Sequence, residues 1–211
     1  TGKMKSNLSL LLALVGGIVV GMSGVAPHWM HDESLPMLVL CALIFQVGIG
    51  VGAMDNLTAM FRSLDVKMLF LPLFTITGTL LFTLLAFFFF NHESMFDVMA
   101  LGSGFGYYSL SSVLIAQLKT AAVGATAATQ LATIALLTNV ARELLSLFSC
   151  QVLTRKGGSL AAISTAGIGS MDVCLPSILH ASGDQRIVPV AVFHGLILEI
   201  SIPMLITLFC S

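Results

Sequence analysis

AAVGATAATQLATIALLTNVARELLSLFSCQVL, residues 121–153, decides the fold of this chain. The stretch is too long and too evenly apolar for a strand, and it reads as one helix deep in a bilayer. Its only charges are Arg142 and Glu143, with Asn139 one helical turn before them. An arginine or a glutamate at membrane depth costs about 2.5–3.5 kcal/mol on insertion scales, so such residues mark polar paths or binding sites.

The rest of the chain agrees. Of 211 residues, 57% are hydrophobic and 9% are charged, against about 25% charged in a soluble domain. Mean hydropathy is +1.01. The expected fold is an all-α polytopic membrane protein. About five full spans are predicted, over 8–25, 35–54, 68–90, 121–153 and 187–210. Two further segments, 96–118 and 160–181, are predicted to be interrupted. The first carries Gly102, Gly104 and Gly106 followed by Tyr107, Tyr108, Ser109, Ser111 and Ser112. The second carries Gly167, Gly169, Ser170, Asp172 and Pro176. Broken backbone at membrane depth is tolerated only where protein buries it or water reaches it. Paired breaks are the best sequence pointer to a transporter's binding site. A loop at 154–158 is expected between the charged helix and the second break. Residues 1–3 read as a tag remnant, with translation starting at Met4, and 1–211 as a single transmembrane transport domain.

Several classes drop out. A net charge of −1 offers nothing to nucleic acid. Cys41, Cys150, Cys174 and Cys210 lie in apolar segments without a paired spacing, so free thiols are expected and no cofactor or structural metal is implied. His28, His31, Asp32 and Glu33 share a loop that reads as solvated. Ser, His and Asp are all present, but no nucleophile-elbow or zinc-protease motif is, so an enzyme is not expected. Phe87–Phe90 read as lipid-facing or interfacial rings.

At the two breaks the chain resembles a known family, the bacterial lysine exporters of the LysO type. The resembling blocks are Gly104-Phe-Gly-Tyr-Tyr-Ser-Leu-Ser111, Asn139-Val-Ala-Arg-Glu-Leu144, Ser170-Met-Asp-Val-Cys-Leu-Pro176 and Val188-Pro-Val-Ala-Val-Phe-His-Gly195, in the family's order. The resemblance implies export of L-lysine and related basic amino acids across the bacterial cytoplasmic (inner) membrane. Full-length members carry about three more spans before the equivalent of Leu8. A split gene is therefore expected, with a small membrane subunit or a second copy of the chain as partner.

The candidate substrate- or ion-binding residues are Glu143, Asp172, Arg142, Asn139, Ser109, Ser111, Ser170, Tyr108 and His194. Glu143 can pair with an ammonium or exchange a proton, or it can be a structural ion partner. Arg142 can receive a carboxylate or neutralise Asp172. Asp172 can bind a cation or cap the turn that follows it. The hydroxyls can bond a substrate or their own backbone. His194 can carry protons or hold helices together, and Glu199 is ranked below it. A proton is the expected coupling ion. Lys3, Lys5, Arg62 and Lys67 place the N-terminus in the cytoplasm by the basic-residue bias, and the C-terminus outside. If both breaks are re-entrant hairpins, Lys119 is the one external basic residue. If both cross the bilayer as broken helices, Arg155 and Lys156 fall outside instead. A chain that merely scaffolds a transporting partner is the remaining alternative.

Overall fold

The computed structural model describes residues 70–89 and 94–211, with isolated helical positions between 16 and 49. The first two expected spans, the 28–33 loop and Cys41 lie outside the described residues. The chain divides into two compact units, 1–39 and 40–211. The helices over 70–89 and 94–211 all belong to the second unit.

Helix α1 spans Leu71–Phe87, with Pro72 in its first turn, where a missing N–H costs nothing. Its threonines return their hydroxyls to the preceding turn, as Thr75 does to Leu71 O at 3.0 Å and Thr83 to Thr79 O at 2.8 Å. That leaves an apolar outer face of Leu73, Phe74, Leu81, Phe82 and Leu85, all exposed. Helix α2, Met95–Gly102, starts on the Ser94 hydroxyl, which accepts from the Phe96 and Asp97 amides. It stops at the glycine run, and α3, Tyr108–Val123, resumes after a turn. Gly124, at φ 84°, redirects the chain into α4, Ala125–Ala166. A 3-10 turn over Gly167–Met171 leads to the short α5, Leu175–Ser182, with Pro176 in its first turn. After a second 3-10 turn, Gln185–Ile187, α6 runs over Val188–Cys210 with Pro203 inside it.

Every regular element among the described residues is helical and none is a strand, in keeping with a helical membrane protein. Among them, 125–171 and 185–210 are long and apolar enough to cross a membrane, and α1 is a shorter apolar helix. Two details differ from the sequence reading. The long helix begins at Ala125, because Gly124 breaks the run. The expected 154–158 loop is not a loop: helix continues through Arg155 and Lys156, and only Gly158 (φ 79°, ψ 172°) leaves helical geometry. One glycine in a conformation forbidden to other residues turns the helix without a connecting segment.

Two apolar clusters hold the unit. One joins α2, α3, α4 and α6 through Phe105, Leu114, Ala135, Ile168, Leu198 and Ile202. The other joins the end of α4 to α5 and α6 through Cys150, Ile163, Cys174, Ile178 and Val190. Cys150, Cys174 and Cys210 are buried free thiols.

Lys119, weighed from sequence only for its side of the membrane, has a partner within the fold. It is buried, and its Nζ lies 2.7 Å from Asp97 Oδ1, with each side chain about a tenth exposed (11% and 10%). The pair ties the start of α2 to the end of α3. Breaking a buried pair strands a charge, whereas removing both charges is often neutral. Lys119→Met alone is therefore expected to destabilise the protein by about 3–5 kcal/mol. Combination with Asp97→Leu should recover most of the loss, read as thermal midpoints in detergent; additive losses would contradict the pairing.

Candidate functional site

The two sequence breaks meet. The turn between α2 and α3 carries Phe105 at φ 45° and Gly106 at φ 96°. A bulky residue in the left-handed region is strained and persists only where its surroundings hold it. Here the Phe105 carbonyl accepts the Ile168 amide at 3.0 Å, from the 3-10 turn that ends the other break. Gly167, at φ 62°, stands directly against that carbonyl, and any Cβ there would collide with it. The guanidinium of Arg142 lies over the Phe105 ring, 5.9 Å from its centroid.

Asn139, buried on α4, fastens the same turn from below. Its Oδ1 accepts the Gly106 amide at 2.8 Å, and its Nδ2 donates to Ala135 O at 2.8 Å and to Ser111 Oγ at 3.3 Å. Gly104 leaves the space that the Asn139 amide fills. The Ser111 hydroxyl donates in turn to Tyr107 O at 2.7 Å. Gly102 ends α2 against the Thr83 side chain, and Gly169 lies within the 3-10 turn, packed near Cys174. Pro176 stands in the first turn of α5, where it starts a helix.

Arg142 and Glu143 diverge, as neighbours about 100° apart on a helix must. Arg142 points toward α1 and the end of α4. Its Nε donates to Thr165 O at 3.3 Å, Nη2 to Ser164 O at 3.3 Å, and Nη1 to Thr79 Oγ1 at 3.4 Å. Among the described residues no carboxylate lies within ion-pair distance of it, so it is not the partner of Asp172. Glu143, half-buried, lies instead within electrostatic reach of Tyr108 and Asp172. Asp172 is exposed, and its carboxylate accepts the amide of the adjacent Val173, while the helix that follows has no side-chain cap. Ser109 lends only its carbonyl, to Ser112 Oγ at 3.2 Å.

His194 is fully buried on α6 between two hydroxyls: Thr75 Oγ1 is 2.9 Å from Nε2 and Ser170 Oγ 3.1 Å from Nδ1. Ser164 extends the chain, 2.7 Å from Thr75 Oγ1. At the ends, Thr75 can donate to Leu71 O and Ser170 to Ala191 O at 3.1 Å. Either ring tautomer is thus satisfied. With Nδ1–H, Ser170 turns its proton to Ala191 and Thr75 donates to Nε2; with Nε2–H, the hydroxyl protons reverse. Gly195 makes room for the Met171 side chain beside this network.

The sequence reading missed or underrated four contributors. Thr75, Thr79 and Ser164 complete the polar layer; the spacing of Thr75, Thr79 and Thr83 by four residues, which lines one helix face, was the available signal. Glu199, ranked low, is buried on α6, and its charge is felt by Tyr107 while it feels Asp172. No group of three or more metal-ligating side chains occurs among the described residues.

Because the two turns touch through backbone, a side chain inserted between them should cost more than a lost contact elsewhere. Gly167→Ala is expected to lower stability by roughly 1–3 kcal/mol through overpacking. Asn139→Ala should cost a similar amount, roughly 1–3 kcal/mol, by orphaning the Gly106 amide. Unchanged detergent melting midpoints for both would contradict this docking.

Known proteins carry the same succession of segments. A family model described as lysine exporter LysO matches residues 11–210. The lysine exporter LysO of Escherichia coli is 29% identical over 205 residues, 97% of this chain and 64% of that protein. A Haemophilus influenzae protein named "Putative lysine exporter" is 31% identical over 205 residues, 96% of this chain and 97% of that protein. The chain thus spans 64% of the length of one relative and nearly all of the other. No solved structure matches. The family is one of membrane transporters and not of enzymes. A match across 11–210, which takes in both broken segments and the charged helix between them, means that the chain belongs to the lysine exporter LysO family.

Proposed function

We propose that this chain exports L-lysine and related basic amino acids across the bacterial cytoplasmic membrane in exchange for a proton. The family supports the substrate. The observation that carries the mechanism is a set of acidic side chains, here called the acidic face, that lacks a cation. Glu143 is half-buried, Glu199 buried and Asp172 exposed, and among the described residues no cation lies within ion-pair distance of any of the three. A carboxylate withdrawn from bulk water without a cation, as Glu199 is and Glu143 is in part, favours uptake of a proton or an ammonium.

Exchange also answers an energetic need. A lysine leaving the cell carries its positive charge against an inside-negative potential, at about 2.3 kcal/mol per 100 mV. A proton moving inward cancels that charge and adds the pH gradient. Glu143, with Asp172 sharing the role, binds the proton or the lysine ammonium but not both.

In this reading the chain is a single transport domain of about five full spans. The segments around Gly104–Gly106 and Gly167–Gly169 enter the membrane as hairpins or cross it as broken helices. Ser111, Asn139 and His194 hold them in register, and Tyr108, Ser109 and Ser170 add polar contacts. The N-terminus is cytoplasmic and the C-terminus external. A companion, either a small membrane subunit or a second copy of the chain, completes the bundle. That part rests on the extra spans of the full-length proteins the sequence resembles, and reconstitution with and without the companion tests it.

Proteoliposomes loaded with radiolabelled lysine are expected to lose it faster when a proton gradient drives protons in the opposite direction. Efflux indifferent to that gradient would rule out antiport. Glu143→Gln should lower gradient-driven efflux at least tenfold with an unchanged melting midpoint, and Asp172→Asn should lower it to a smaller degree. Full activity in both variants would remove the acidic face from the mechanism.

A further inference from the structure

The acidic face accounts for the ammonium of a basic amino acid and leaves its carboxylate without a place. On the other side of α4 a groove of about 610 Å³ opens between α1, α2 and α4. That is within the size range of small-molecule sites, about 300–1,000 Å³. Its walls are mostly apolar. The exceptions are the guanidinium of Arg142 and the hydroxyl-bearing threonine and serine side chains, Thr79, Thr138 and Ser164 among them.

The state of Arg142 defines what the groove lacks. Each hydrogen bond it makes goes to a neutral oxygen, at 3.3, 3.3 and 3.4 Å. Charge-assisted bonds to an anion run shorter, about 2.7–2.9 Å. Among the described residues three of the five N–H donors have partners, which leaves two to meet a ligand. The charge is offset by carbonyl dipoles and the Phe105 face and, among the described residues, by no carboxylate. A guanidinium held this way in an apolar wall favours any anion that can reach it, most of all a planar carboxylate that takes two parallel bonds.

We propose that the Arg142 groove is the subsite for the α-carboxylate of the exported amino acid, with Thr79 and Thr138 supplying hydroxyl contacts beside the guanidinium. This subsite rests on the export reading and deepens it. Selection then has two parts: the acidic face admits a cationic side chain, and the groove demands a free carboxylate. Lysinamide and cadaverine (1,5-diaminopentane) keep the positive charge and lack the carboxylate, so both are rejected. The same guanidinium chemistry could serve an anionic lipid headgroup, and the lipid composition separates the two sources.

The test is displacement of radiolabelled lysine from the purified chain in nanodiscs of zwitterionic lipid. Lysinamide and cadaverine are expected to compete at least tenfold more weakly than unlabelled lysine. Arg142→Gln should weaken lysine at least tenfold and leave lysinamide unchanged, abolishing the preference, with Arg142→Lys intermediate. Since Arg142 also ties α4 to Ser164 and Thr165, Thr138→Val provides a milder variant that should reduce the preference for lysine over lysinamide. Lysinamide competing as well as lysine against the wild-type chain overturns the subsite while leaving the export reading intact. Wild-type chain that binds neither compound overturns both. Displacement of lysine by added phosphatidylglycerol, together with equal lysine and lysinamide affinity, makes the groove a headgroup site and likewise overturns the proposal.

Discussion

The site depends on one backbone contact, the Ile168 amide on the Phe105 carbonyl. It joins two turns that would otherwise leave bare polar groups at membrane depth, where each unsatisfied group costs several kcal/mol. The contact forces the other choices nearby. Gly167 must be glycine to let the carbonyl approach, and Gly104 must be glycine to seat Asn139. Asn139 must be an amide, because it accepts from Gly106 with one atom and donates to Ala135 and Ser111 with the other. Phe105 keeps its unfavourable backbone angle because the Ile168 bond and the Arg142 guanidinium hold it from two sides.

From that junction α4 divides the unit functionally. Residues 142 and 143 leave the helix about 100° apart, so adjacent charges of opposite sign point in different directions. A zwitterion with a cationic tail carries both kinds of charge. A helix presenting a guanidinium in one direction and a carboxylate in another, between two docked turns, suits the proposed binding of such a molecule. The His194 network lies between these regions and has two satisfied tautomers, so it can reverse its hydrogen bonds without losing one.

Much of this was legible in the sequence, because lipid leaves few options. Glycines followed by hydroxyls in an apolar run could only be breaks, and both appear where Gly102–Gly106 and Gly167–Gly169 predict them. Asn139 and Arg142 announced a polar interior by their cost alone. What the sequence did not carry was pairing across distance. Thr75 and Ser164 are 89 positions apart, and only the packing of α1 against α4 brings them together. Lys119 entered the sequence reading only through the charge bias between loops, since nothing local pointed to Asp97. Gly157-Gly158 read as a loop because a glycine pair signals either a connection or a hinge, and composition does not separate them. Glu199 read as marginal because its surroundings come from Tyr107 and Asp172, which lie on other elements.

In the proposed reading, one helix pinned between two docked turns presents the two charges for a basic amino acid. The most direct measurement is a cryo-EM map of the chain in lipid nanodiscs with saturating lysine. Ligand density is expected against the Arg142 guanidinium beside Ser164 and Thr165, with the turns at Phe105 and Gly167 in contact. Lysine density remote from α4, or Arg142 closed off by an acidic side chain from elsewhere in the protein, would contradict it.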